Sequence, residues 1–175
     1  MSGHSHWAQI KHKKGSTDEK KAKVFSKLLA AIAIAARENL NPDFNPRLRT
    51  TIEKARAAQV PAENIERALK RSLETKELTE ILVEAYAPEG SALIIHGITD
   101  NTNRTIADIK KILAAHESKI ADPGSVLWAF EKTGNEWRMK FPHTVSPDGA
   151  IKLRALIAAL EDQNEVQHVT TNIKK

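Results

Sequence analysis

Between residues 17 and 36, apolar positions recur at helical spacing. Val24, Leu28, Ala31 and Ala35 form one row, and Phe25, Leu29, Ile32 and Ala36 a second beside it, so the stripe is wide. Ser16-Thr17-Asp18-Glu19 fits a capping box at its start, and Asp18 and Glu19 suit the positive end of the helix dipole. Asn39 and Asn41-Pro42 predict its end. Asn45 followed by Pro46 predicts a second helix, capped by the Asn side chain and opened by a residue whose missing N–H is not needed there. Leu48, Ile52, Ala55 and Gln59 lie along its inner side. Pro61 opens a third helix with Ala62, Ile65, Ala68 and Leu69 inward, and with Glu63–Arg67 and Glu66–Lys70 spaced for ion pairs. Ser72-Leu73-Glu74-Thr75-Lys76-Glu77 has no apolar period and marks a domain boundary.

The period then changes from helical to alternating. Residues 80–86 (Glu-Ile-Leu-Val-Glu-Ala-Tyr) and 92–98 (Ala-Leu-Ile-Ile-His-Gly-Ile) predict a hairpin across Pro88-Glu89-Gly90. A helix is expected over 104–116, with Ile106, Ile109, Ile112 and Leu113 on one stripe. A second hairpin follows over 125–131 and 136–141, then a helix over 147–161 and a last strand over 166–173. The order is ββαββαβ. Without its first strand it reads as a split-βαβ, ferredoxin-like plait. The fold class is therefore α+β: a mobile basic arm (1–15), a basic three-helix domain (16–73) and a ferredoxin-like α+β domain (79–175).

Charge sharpens that division. Residues 1–76 carry 16 Lys and Arg against 8 Asp and Glu, a net of +8, while residues 77–175 carry 11 against 14, a net of −3. A basic module joined to a mildly acidic one is the footprint of a polyanion-binding domain attached to one with another task. With no cysteine in 175 residues, disulfides and thiolate chemistry are excluded. The longest apolar run, Leu28 to Ala36, falls short of the roughly 20 residues a membrane helix needs. Neither a secretory signal nor removal of the first segment is expected, and a cytoplasmic location is.

Within the basic module the candidate contacts are specific. The arm brings Lys11, Lys13 and Lys14 together with His4, His6, His12 and Trp7. It has too few apolar residues to offset the entropy of ordering itself, so it is expected to be mobile until a polyanion orders it. Lys20, Lys21, Lys23 and Lys27 crowd the first turns of the long helix. Inside the second helix Arg49, Lys54 and Arg56 have no acidic residue four places before them, and Asp43, four before Arg47, lies ahead of the helix, which favours all four as phosphate ligands over the paired Arg67 and Lys70. Lys11, Lys13, Lys14, Lys20, Lys21, Lys23, Lys27, Arg47, Arg49, Lys54 and Arg56 are the expected phosphate contacts. His4, Trp7 and His12 are expected to read or stack on exposed bases.

Several blocks resemble the YebC/PmpR family: Gly3-His4-Ser5 with Trp7, Ile10-Lys11-His12-Lys13, Asn45-Pro46-Arg47-Leu48-Arg49, Ile52-Glu53-Lys54-Ala55-Arg56-Ala57-Ala58 and Asn64-Ile65-Glu66-Arg67-Ala68. Further matches are Thr99-Asp100-Asn101, Asn103-Arg104-Thr105, Gly124-Ser125-Val126, Trp128, Phe130-Glu131 and Ala159-Leu160-Glu161-Asp162 with Val166-Gln167. The blocks keep family order along nearly the whole chain. Family members are named as transcriptional regulators, and a mitochondrial relative as a translational activator of cytochrome c oxidase. Two departures stand out. His6 replaces the family's usual Lys, and Glu131-Lys132-Thr133-Gly134-Asn135 makes a short turn where typical members insert a third domain.

No catalytic constellation is present: no G-x-S-x-G, no Walker loop and no G-x-G-x-x-G. Ser2-Gly3-His4 could chelate Cu(II) or Ni(II) if Met1 were removed, but the His spacing fits no closed zinc site, so no metal and no cofactor is expected. His96 and His116 are expected to be packed or surface residues, Asn103-Arg104-Thr105 to cap a helix, and Trp128 and Phe130 to share a buried face. The expected function is a non-enzymatic, DNA-binding transcriptional regulator. The alternatives are a translation factor that binds ribosomal RNA on the ribosome and relieves stalling, for example at consecutive prolines, and a protein-interaction scaffold. The partner is nucleic acid, with no membrane and no small-molecule substrate.

Overall fold

The computed structural model describes the backbone of residues 4–74, 78–134 and 136–174, and the side chains of residues 17–72, 78–134 and 136–174. The chain divides into two compact units, Met1–Glu74 and Thr75–Lys175.

The first unit consists of α1 (His4–Ala35), α2 (Pro46–Ala57) and α3 (Ala62–Glu74). Helix α1 is 32 residues long and passes through Ser16, so the start expected there lies inside a longer helix. Most of the residues before Ser16 are acceptable helix formers, and Gly15 costs only about 1 kcal/mol relative to Ala. The capping contacts and the arm contacts expected before Thr17 lie outside the described side chains. The apolar core joins Ile32, Ala35 and Ala36 of α1 to Leu48, Ile52 and Ala55 of α2 and to Ile65 and Ala68 of α3, with Phe25, Leu28 and Leu29 packed against it. Val24, expected on the α1 stripe, is 46% exposed. Helix α2 ends in a Schellman turn: Val60 N–H donates to the Ala55 carbonyl and Gln59 N–H to the Arg56 carbonyl, both at 2.9 Å. Gln59 takes the left-handed conformation (φ 64°) that this turn requires and that usually favours glycine.

The second unit is built on strands β1 (Thr79–Tyr86), β2 (Ala92–Thr99), β3 (Lys119–Ile120) and β6 (Val166–Thr171), with helices α4 (Thr102–Ala115) and α5 (Pro147–Asp162). Strands β4 (Phe130–Thr133) and β5 (Glu136–Met139) form a separate two-stranded ribbon. The main sheet has the order β3-β1-β2-β6, and every pairing in it is antiparallel. Ile81, Val83 and Ala85 of β1, Leu93 and Ile95 of β2 and Val166 of β6 meet Ile109 and Leu113 of α4 and Leu153, Leu156 and Leu160 of α5. The other face carries a smaller core, where Ile94 and Tyr86 meet Val126, Ala129 and Phe130. At the β2 bulge, a Cβ on Gly97 would lie 2.9 Å from Ile81 Cγ1 and 3.0 Å from the Glu165 carbonyl, so only glycine fits without a shift.

The fold is thus α+β, but its strand arrangement differs from the expected plait. Strand β1, set aside in that expectation, is central and pairs with both β2 and β3. The ribbon β4–β5 stands outside the sheet. The cause is the turn at residues 122–127. Gly124 has φ 86°, and the buried Glu84 carboxylate accepts from the amides of Gly124 (2.5 Å), Val126 (2.9 Å) and Leu127 (3.2 Å). Residues Leu127–Ala129 then form a 3-10 turn and strand β4 begins only at Phe130. Alternation is broken there, so Phe130 is buried while Trp128 is 62% exposed rather than sharing its face.

Candidate nucleic-acid interface

Helix α2 separates apolar from basic residues by its own period. Leu48, Ile52 and Ala55 are buried, which turns Arg49, Lys54 and Arg56 to solvent. The buried Asn45 fixes the helix start. Its Oδ1 accepts from Leu48 N–H at 2.9 Å, and its Nδ2 donates to the carbonyls of Ala35 (2.7 Å) and Asn39 (2.8 Å). One side chain therefore holds the end of α1, the connecting loop and the first turn of α2 in a single arrangement.

The other cations divide by position. Lys20 and Lys21 on α1 are exposed; Lys23 and Lys27 are half-buried and have interactions within the chain. Arg47 is half-buried and lies 3.6 Å from Glu38, an ion pair across the α1–α2 loop that local spacing does not reveal. On α3, Arg67 pairs with Glu63 at 2.6 Å, as their spacing predicts. The side chains of His4, Trp7, Lys11, His12, Lys13 and Lys14 lie outside the described residues. The basic positions on the page are thus Lys20, Lys21, Arg49, Lys54 and Arg56, with Lys23, Lys27 and Arg47 more enclosed.

Residues 5–75 match the family model described as the TACO1/YebC protein N-terminal domain, and residues 78–135 match the one described as the TACO1/YebC second and third domain. The chain belongs to the TACO1/YebC family. Relatives named probable transcriptional regulatory protein include one from Thermosipho melanesiensis, 48% identical over 138 residues (77% of this chain, 55% of the relative). Another, from Fervidobacterium nodosum, is 49% identical over the same length and the same shares. The chain spans about half the length of the curated relatives it matches. The crystal structure of a conserved hypothetical protein from Aquifex aeolicus superposes with a TM-score of 0.82 at 31% identity, covering 97% of both chains.

In this TACO1/YebC chain the polar groups of the second unit are largely committed to structure. Asn101 caps α4 by accepting from Arg104 N–H at 3.1 Å. The Arg104 guanidinium donates to Asp100 (2.7 Å) and Glu165 (2.6 Å), and those bonds raise its pKa above the ordinary arginine value. The cap is thus Asn101 rather than the Asn103-Arg104-Thr105 block, which lies in the first turns of α4 and cross-links through Arg104. Ser146 caps α5, and its N–H and hydroxyl both donate to the Glu89 carboxylate, at 2.8 and 2.5 Å, holding the Glu89 pKa below the usual carboxylate range. His96 is half-buried, with Nε2 3.3 Å from Glu80 and its ring 5.0 Å from that of His168. Among the described residues no group of three or more His, Asp or Glu is placed to hold a metal, and no helix is long and apolar enough to cross a membrane.

Two exposed aromatic features escape the sequence patterns. Phe44, in the α1–α2 loop, is 76% exposed. Trp128 and Phe141 approach with centroids 6.1 Å apart, and Trp128 Nε1 donates to the Ser125 carbonyl at 2.9 Å. Neither shows in the periodicity, because one lies in a loop and the other in a 3-10 turn within an apparent strand.

Proposed function

We propose that the protein is a non-enzymatic, DNA-binding regulator of gene expression acting in the cytoplasm. The observation that carries this is the exposure of Arg49, Lys54 and Arg56 on the helix whose apolar side builds the core of a unit with net charge +7. Cations carried on a folded helix neutralise phosphates without a backbone-ordering cost at binding. In this reading Lys20 and Lys21 extend the phosphate-binding surface along α1. Lys11, Lys13 and Lys14 add to it at the N-terminal end, where His4, Trp7 and His12 contact bases. The names of the relatives support a regulatory role for this chain. The second unit, with net charge −2, positions the first or docks a protein.

The test pairs gradient co-sedimentation with ribosomes and a bandshift on duplex DNA, both at near-physiological salt. A sequence-preferring shift of DNA, with the protein remaining at the top of the gradient, is the expected result. Travel with ribosomes that is lost on deleting residues 1–15 would replace DNA by ribosomal RNA as the target. Binding that ignores salt would leave only the interaction scaffold.

A further inference from the structure

We propose that Phe44 is a base-stacking platform: the basic unit takes an unpaired nucleotide of single-stranded nucleic acid, with its base on the Phe44 ring and its phosphate on Arg49. This rests on the nucleic-acid reading above and extends it to a strand form and a residue pair.

Phe44 directly precedes the α2 cap, Asn45. A residue there ordinarily packs against an apolar side chain at the fourth helical position, forming a hydrophobic staple. With Pro46 first, the fourth position is Arg49. The position that would normally supply an apolar cover therefore carries a cation, and the ring is 76% exposed. Leu40, in the same loop, is 41% exposed.

The loop is held from several sides. Phe44 N–H donates to the Asn41 carbonyl at 3.1 Å. Asn41 N–H donates to Asn39 Oδ1 at 2.8 Å, and Asp43 N–H to Asn41 Oδ1 at 2.9 Å. The buried Asn45 anchors the next residue through its three bonds. An aromatic ring on a held backbone has only two side-chain torsions to order when something flat covers it. Every base offers a flat face, and single-strand binding combines such rings with cations that follow the backbone. Both components lie here on one helix start, in the unit of net charge +7. Charge selects the occupant: an apolar protein surface would have to bury the neighbouring cation unpaired, whereas a nucleotide brings its own phosphate.

The full chain and its variants are titrated against a labelled 12-nucleotide unstructured RNA and against a duplex of the same length, over a range of salt. Phe44→Ala is expected to weaken single-strand binding about tenfold, from the loss of one stacked base, with the slope of log affinity against log salt unchanged and duplex binding intact. Phe44→Trp retains binding, and its fluorescence is quenched by the RNA. Arg49→Ala weakens both ligands and flattens the slope by nearly one. If Phe44→Ala binds the single strand as well as wild type while Arg49→Ala weakens it, stacking is wrong and the basic surface stands. Equal loss on single strand and duplex also overturns stacking. A dimer in sedimentation that Phe44→Ala abolishes would assign the ring to a second copy instead. If the wild type binds neither ligand in a salt-dependent way, the nucleic-acid reading falls and this proposal with it. Unchanged thermal melts of the variants separate each outcome from a folding defect.

Discussion

Glu89 is exposed, yet its carboxylate is held in place by Ser146, whose N–H and hydroxyl both donate to it. These bonds favour the ionised form and lower its pKa. A carboxyl with a depressed folded-state pKa adds stability above its unfolded value, near 4.3, and loses it as pH falls through the folded value. Glu89→Gln should therefore lower the melting temperature at pH 7, and the gap to wild type should close as pH falls below about 4. A gap that persists unchanged into acid would assign the effect to shape rather than charge. The same loop restricts Gly149, where a Cβ would lie 2.5 Å from Glu89 Oε1. Glu84 works from the inside, converting an apparent strand into a turn through three amide bonds. No periodicity reveals this, because the carboxylate is 40 or more residues away from the amides it binds.

At the scale of elements, the cap of α2 was legible and the strand order was not. Asn45-Pro46, the α4 and α5 stripes and the β1–β2 hairpin follow from local residues, since capping and periodicity are local physics. The separate ribbon and the central place of β1 depend on contacts between distant residues, and a two-residue strand such as β3 leaves no readable period. Helix α1 shows a different limit: a capping pattern is permitted in a helix interior, so Ser16 signals a start without enforcing one. Of the interface, Arg49, Lys54 and Arg56 were readable from the α2 period; the Arg47–Glu38 pair and the exposure of Phe44 arise from a loop. Asn45→Ala removes a cap and two buried donor bonds, so it should cost about 2 kcal/mol in urea denaturation. Asn45→Asp keeps the acceptor for Leu48 N–H but sets a carboxylate against the Ala35 and Asn39 carbonyls, so it should fail to restore stability. Recovery by Asp would show that the donor bonds contribute little.

At the scale of the molecule, charge is partitioned between the two units. Each cation that neutralises a phosphate contributes a salt slope of about 0.7 to 0.9. The triple variant Arg49→Ala/Lys54→Ala/Arg56→Ala should then flatten the slope for a nucleic acid by about 2 to 3. Lys110→Ala/Lys111→Ala, on exposed positions of α4, should leave it unchanged. Equal flattening by both variants would mean that net charge alone, and not the α2 surface, attracts the ligand.

The Trp128 indole has an optical consequence. It is fixed by a hydrogen bond yet faces solvent beside Phe141, so its emission should lie toward the red and iodide should quench it readily. The half-buried Trp137 should be less accessible to the same ion. In a Trp7→Phe variant, loss of that quenching when a partner is added would show the second unit being covered, without any label attached to the protein.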